Sequence, residues 1–178
     1  MQFDKDKFKN LVHYIIWKTS GQDGFGATKL YKVLWFAEAR AFTLHRNPIA
    51  GETYIREEHG PVPQHGRSIR AELVAEGLIS EKKIDRGKYQ EWVFKALQPP
   101  PTGFLSEQER AVVDYWIDHI DKGHSATSIS DYSHDYGWEI AKNGDVLPYH
   151  AIWAERLREP SEADLKKARE KAKTLGLM

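Results

Sequence analysis

Apolar residues recur at spacings of three and four along most of the chain, and glycines and prolines punctuate them. Phe8, Leu11, Val12, Ile15 and Ile16 define one helical face. Gly21, Gly24 and Gly26 end that helix in a loop. Leu30, Val33, Leu34, Ala37, Ala41 and Leu44 define a second, stronger helix, with Thr28 as its expected N-cap and Pro48 and Gly51 as breakers. Leu30, Leu34 and Ala37 are expected to bury against the first helix.

Thr53, Tyr54 and Ile55 then read as a short strand. His59-Gly60-Pro61-Val62-Pro63 reads as a turn stiffened by two prolines, with Gly51 and Gly60 in conformations that a side chain resists. Arg67 to Glu76 predicts a helix with Ile69 and Leu73 inward, stopped by Gly77. A strand from Leu78, a turn at Asp85-Arg86-Gly87-Lys88 and a return through Tyr89, Trp92, Val93 and Phe94 complete a hairpin. Helix followed by hairpin is the layout of a winged helix. The expected fold is therefore α+β and helix-rich, with a winged-helix-like core, a small antiparallel sheet and additional C-terminal helices.

Gln98-Pro99-Pro100-Pro101-Thr102-Gly103 is the clearest linker. It divides a helical and winged-helix-like part (1–97) from C-terminal helices (105–178) expected to pack on the same globular unit, with 98–104 between them. Ser106 and Glu109 have capping-box spacing ahead of Val112, Val113, Trp116, Ile117 and Ile120. A more polar helix is expected over Ser125 to Tyr136 and a short one over Pro148 to Leu157. After Pro160, a last helix opened by Ser161 and Asp164 carries a thin apolar face: Leu165, Ala168, Ala172 and Leu175.

Composition narrows the chemistry. The 178 residues are 40% hydrophobic and 12% aromatic, with 6 Trp, enough to close a core. Lys+Arg and Asp+Glu both number 26, so no overall charge grips nucleic acid or anionic lipid. The absence of cysteine excludes disulfides, thiolate metal sites and cysteine catalysis. The apolar run Leu11 to Trp17 is too short to span a membrane, and the acidic and basic start is no secretory signal. The expected location is the cytoplasm.

No motif builds an active site. The glycines of Gly21 to Lys29 mimic a phosphate loop, but a helix precedes them where a strand is needed, so a helix-to-helix turn accounts for them better. Adjacent Glu57 and Glu58 do not obviously face one substrate. Asp131, His134 and Asp135 fit one helical face and a distant metal-enzyme reading, but such clusters are more often solvated or hydrogen-bonded at helix ends. No cofactor is expected. The winged-helix layout raises DNA binding, as a transcriptional regulator, through Arg67, Arg70 and Lys83. From Gln64 to Leu97, however, seven Lys/Arg face five acids, a small excess for a phosphate-binding surface. Tyr132, Tyr136, Trp138, Tyr149 and Trp153 lie among polar neighbours, where large aromatics either plug the core or anchor a partner.

The segment Thr28-Lys29-Leu30-Tyr31-Lys32-Val33-Leu34-Trp35-Phe36-Ala37-Glu38-Ala39 resembles the second helix of the Panacea antitoxin domain, to which SocA-type antitoxins belong. Pro48 to Tyr54, His59 to Pro63, and Ile129 to His134 with Trp138 follow in that family's order, so the resemblance covers about Phe3 to Trp153. It implies the antitoxin half of a toxin–antitoxin pair of bacteria or their phages, neutralising a toxin by direct contact. One branch is implied to deliver its toxin to a protease. The family supplies no catalytic residue, so a non-enzymatic binding protein is expected. Tyr54, His59, Pro61, Trp138 and Trp153 are the expected toxin contacts. Operator DNA is a further expected partner, and the number of copies is left open.

Overall fold

A computed structural model describes residues 2–87, 89–153 and 162–174. Helix α1, Lys5–Lys18, opens on Asp4, whose carboxylate accepts the Lys7 N–H. Its apolar stripe is buried as the spacing requires. Helix α2, Ala27–His45, is the central element. From Lys29 to Ala39 every residue is buried, the signature of a helix enclosed on all sides. Leu30, Leu34 and Ala37 are fully covered, whereas Leu44 is 49% exposed, because the last turn of α2 outruns its neighbours. The N-cap is Gly26 rather than Thr28, and it makes no side-chain cap bond. A Cβ on Gly26 would stand 3.0 Å from the Trp92 carbonyl oxygen, so the tight approach of the hairpin sets the cap.

Strands β1 (Tyr54–Glu57), β2 (Gly60–Pro63) and β5 (Val146–Leu147) form an antiparallel sheet in the order β2-β1-β5. The expected turn over His59 to Pro63 is therefore mostly strand; only Glu58 and His59 turn. Arg56 exchanges both backbone hydrogen bonds with the β5 side, through Asp145 and Gly144. Its opposite number Pro61, and Pro63 beside it in the alternation, thus face the free edge. Proline lacks the N–H that an inner strand would need, and an edge strand tolerates that loss.

Helix α3, Gly66–Ala75, leads into the hairpin β3 (Ile79–Asp85) and β4 (Gln90–Ala96). Lys88 in its turn lies outside the described residues. Helix α4, Glu107–Gly123, starts at the expected capping box of Ser106 and Glu109. The helix expected over Ser125 to Tyr136 is two: α5 (Ala126–Tyr132) and α6 (Tyr136–Ile140), divided where Asp135 caps α6 by accepting the Trp138 N–H. A 3-10 turn covers Tyr149–Trp153, and α7 runs over Glu162–Thr174. The rest of the short helix to Leu157, with Pro160, Ser161 and Leu175, lies outside the described residues.

One buried cluster joins α1 and α2 with Val113, Ile117 and Ile120 of α4, Ile129 of α5, and Leu147 and Tyr149. The proline segment is pinned to it. Buried His13 donates from Nε2 to the Gln98 carbonyl, and Phe104 packs edge-on against Tyr14. Burial holds the His13 pKa below the ordinary imidazole value, which keeps it neutral. Among the described residues, no helix is long and apolar enough to cross a membrane.

Candidate functional site

The tip of the β1–β2 hairpin is held by three side chains from three helices. Lys32 Nζ of α2 donates to the Pro61 carbonyl (3.0 Å), Ser130 Oγ of α5 to the His59 carbonyl (3.0 Å) and Trp138 Nε1 of α6 to the Glu57 carbonyl (3.0 Å). Gly60 lies inside this clamp at φ +93°. A Cβ there would come within 2.2 Å of Ser133 Oγ and 2.7 Å of Lys32 Nζ. Gly60→Ala is therefore expected to lose about 1–3 kcal/mol from backbone strain alone, with the steric clash in addition. A lowered urea midpoint with an unchanged slope checks it.

Alongside the clamped hairpin runs a groove of about 530 Å³. Thr28, Tyr31 and Lys32 of α2 form one side, Ile55, Glu57 and Val62 of the hairpin another, and Gln64, Arg67 and Trp92 the rest. Lys32 is 1% exposed, and no carboxylate lies within 4.0 Å of it among the described residues. Burial therefore lowers the pKa of its amine to about 7. An unfolded lysine titrates near 10.5, so between pH 7 and about 10 the unfolded chain holds a proton that the folded chain has released. Stability is expected to rise with pH across that window, by at most roughly 1.4 kcal/mol per pH unit. Lys32→Met removes this dependence, and urea titrations of both proteins from pH 7 to 10 check it.

The side chains expected at a partner surface divide. Tyr54 is in the core, edge-on to Trp35 at 5.1 Å, and Pro61 is buried under the clamp. Both shape the hairpin from within and present no surface. His59 is exposed at its tip. Trp138 is half-buried between His134, stacked at 3.6 Å, and the Arg56 guanidinium at 4.0 Å. These two groups take opposite faces of the indole, since one face holds only one group at such a distance. Trp153 is 43% exposed, stacked on Phe42 with Arg46 over its ring.

Of the residues expected to hold DNA, one is withdrawn from the surface. Arg70 is buried, its guanidinium 5.2–5.6 Å from the rings of Tyr31, Trp92 and Phe94 and its Nε 3.4 Å from Glu81. The cation–aromatic attraction and the ion pair hold it inward. Arg67 is exposed on the groove, and Lys83 lies over Trp92. Of the proposed metal ligands, Asp135 is committed to its cap. No group of three His, Asp or Glu side chains converges on a metal position among the described residues. At the N-terminus of α2, the Glu91 carboxylate lies against Gly26 and pairs with Arg86, which fills the place a phosphate would need.

Lys32 and Tyr31 were not singled out by periodicity, although a signal exists. Lys29, Lys32 and Glu38 interrupt an otherwise apolar helix, which marks them for attention without saying which side they face. A second surface was marked in the sequence only by Tyr132. Tyr115 and Tyr132 are 59% and 56% exposed and join Trp116, His119 and His124 in a continuous set of ring contacts on α4 and α5.

The family described as "Antitoxin SocA-like, Panacea domain" matches residues 30–139, from the first turns of α2 through the clamp to Glu139. No curated protein and no solved structure gives a significant match.

Proposed function

We propose that this chain, which belongs to the SocA-like antitoxin family with the Panacea domain, neutralises a cognate toxin in the cytoplasm by direct protein contact, without transforming a substrate. The family match carries this reading, because the matched span contains the helix, the hairpin and the clamp that form the groove. Physical support comes from the pre-ordered hairpin tip. A loop already fixed by three side-chain hydrogen bonds loses little conformational entropy when a partner closes on it. His59, Trp138 and Trp153 are the partner contacts retained from the sequence.

The test is co-expression with the product of the neighbouring open reading frame. Restored growth and co-purification of the two proteins are expected. Continued growth arrest in the presence of soluble antitoxin would refute the reading. Toxin half-life in the same cells separates the two modes of neutralisation. An unchanged half-life marks a blocking complex, and a shortened one marks delivery to a protease.

A further inference from the structure

The groove beside the hairpin contains more hydrogen-bond donors than the chain uses. Lys32 spends one N–H on Pro61 and has no counter-ion. Arg67 stands exposed at the mouth, likewise without a carboxylate within 4.0 Å among the described residues. Thr28 and Gln64 line the same stretch. The acids Glu57 and Glu58 belong to the hairpin end, so the groove has a cationic part and an anionic part with Ile55 and Val62 on its wall.

A buried amine without a counter-ion is costly, and a ligand carboxylate that reaches it recovers an ion pair in a poorly hydrated place. The free edge of β2 adds a constraint. Its outward positions are Pro61 and Pro63, so it offers no N–H to a visiting strand. An occupant must be recognised by its charged groups rather than by backbone pairing.

We infer that this groove binds a carboxylate of an extended peptide segment, with Lys32 and Arg67 as its donors. The Glu57–Glu58 end accepts a basic or amide group of the same segment. As the biological ligand is a segment of the toxin, the inference rests on the antitoxin reading, but its test does not need the toxin.

The test uses two pairs of probes on the full ¹⁵N-labelled chain. N-acetylglycine carries a terminal carboxylate, and its amide lacks one. The α-amide of N-acetylaspartate carries a side-chain carboxylate, and the α-amide of N-acetylasparagine lacks one. At least one acid is expected to shift the backbone signals of Tyr31, Lys32, Gln64 and Arg67, while its neutral counterpart leaves them in place. The stronger of the two acids identifies a terminal or a side-chain carboxylate. Arg67→Glu, an exposed position that leaves the core intact, is expected to weaken the acid at least tenfold. Lys32→Met is expected to do the same if it folds. Equal responses to acid and neutral probe, shifts confined to another surface, or no effect of Arg67→Glu would overturn the inference. Such a failure leaves the antitoxin reading standing, and a failed co-expression leaves the titration result standing.

Discussion

Glu38→Ala is expected to destabilise the fold by about 2–6 kcal/mol, from two buried N–H groups left without an acceptor at about 1–3 kcal/mol each. Glu38 is fully buried on α2, and its carboxylate accepts from the backbone N–H of Ile49 (2.6 Å) and Ala50 (3.1 Å). These groups open the turn that carries the chain into β1. The same turn is fixed from the other side, where the Asp4 N–H donates to the Ala50 carbonyl. Gly51 at φ +74° leaves room there only for a hydrogen, since a Cβ would lie 2.9 Å from the Gln2 carbonyl. Loss of the carboxylate thus loosens the N-terminal segment, the turn and β1 together. Denaturant unfolding and faster hydrogen exchange at residues 49–52 check it.

The Glu38 carboxyl also adds a pH signature. Burial raises its pKa from the ordinary 4.5 to about 7, against the pull of the backbone donors. Between pH 4.5 and 7 the folded chain therefore holds a proton that the unfolded chain has lost. Its contribution to stability falls as pH rises through that window. Glu38→Gln removes this falling limb, so the difference between wild type and Glu38→Gln should vary with pH below 7 and level off above it.

Trp35→Ala carries a comparable expected loss, about 3–5 kcal/mol for a fully buried aromatic ring. The indole is edge-on to Tyr54 and stacked on Tyr149 at 6.2 Å. Tyr149 in turn donates its hydroxyl to the Glu52 carbonyl. One ring thus couples α2 to β1 and to the 3-10 turn after β5, which lies more than a hundred residues beyond α2 in the chain. Trp35→Phe keeps part of the volume and should lose clearly less. Urea unfolding of both variants measures the difference. Any loss of toxin neutralisation by Trp35→Ala should follow the fraction of folded chain, since Trp35 has no exposed surface.

The sequence was most legible where burial follows periodicity. The stripes of α1 and α4, the Ser106–Glu109 cap and the β3–β4 hairpin follow from spacing alone. The family order was legible as well, and within the expected span the match covers residues 30–139. Elements whose neighbours come from far along the chain were not. Two prolines argue against a strand until β1 is known to lie on one side of β2 only. Val146 and Leu147 form a strand because Tyr54 and Ile55 offer an open edge, a fact absent from their own neighbourhood. Part of the candidate site was hidden for a related reason. Lys32 and Glu38 look like surface charges on a helix, and only the enclosure of α2 by later elements places them inside. Tyr54 was expected at a toxin contact and Arg70 on a recognition helix, and their aromatic surroundings turn both inward.

The prolines at the sheet border also bear on crowding. A bare strand rim tends to recruit further strands, from other molecules as readily as from partners, and such recruitment seeds fibrils. Pro61 and Pro63 deny that rim its donors and α2 covers it through the Lys32 bond to the Pro61 carbonyl, so concentrated solutions of this protein gain no continuous ladder from molecule to molecule along that side.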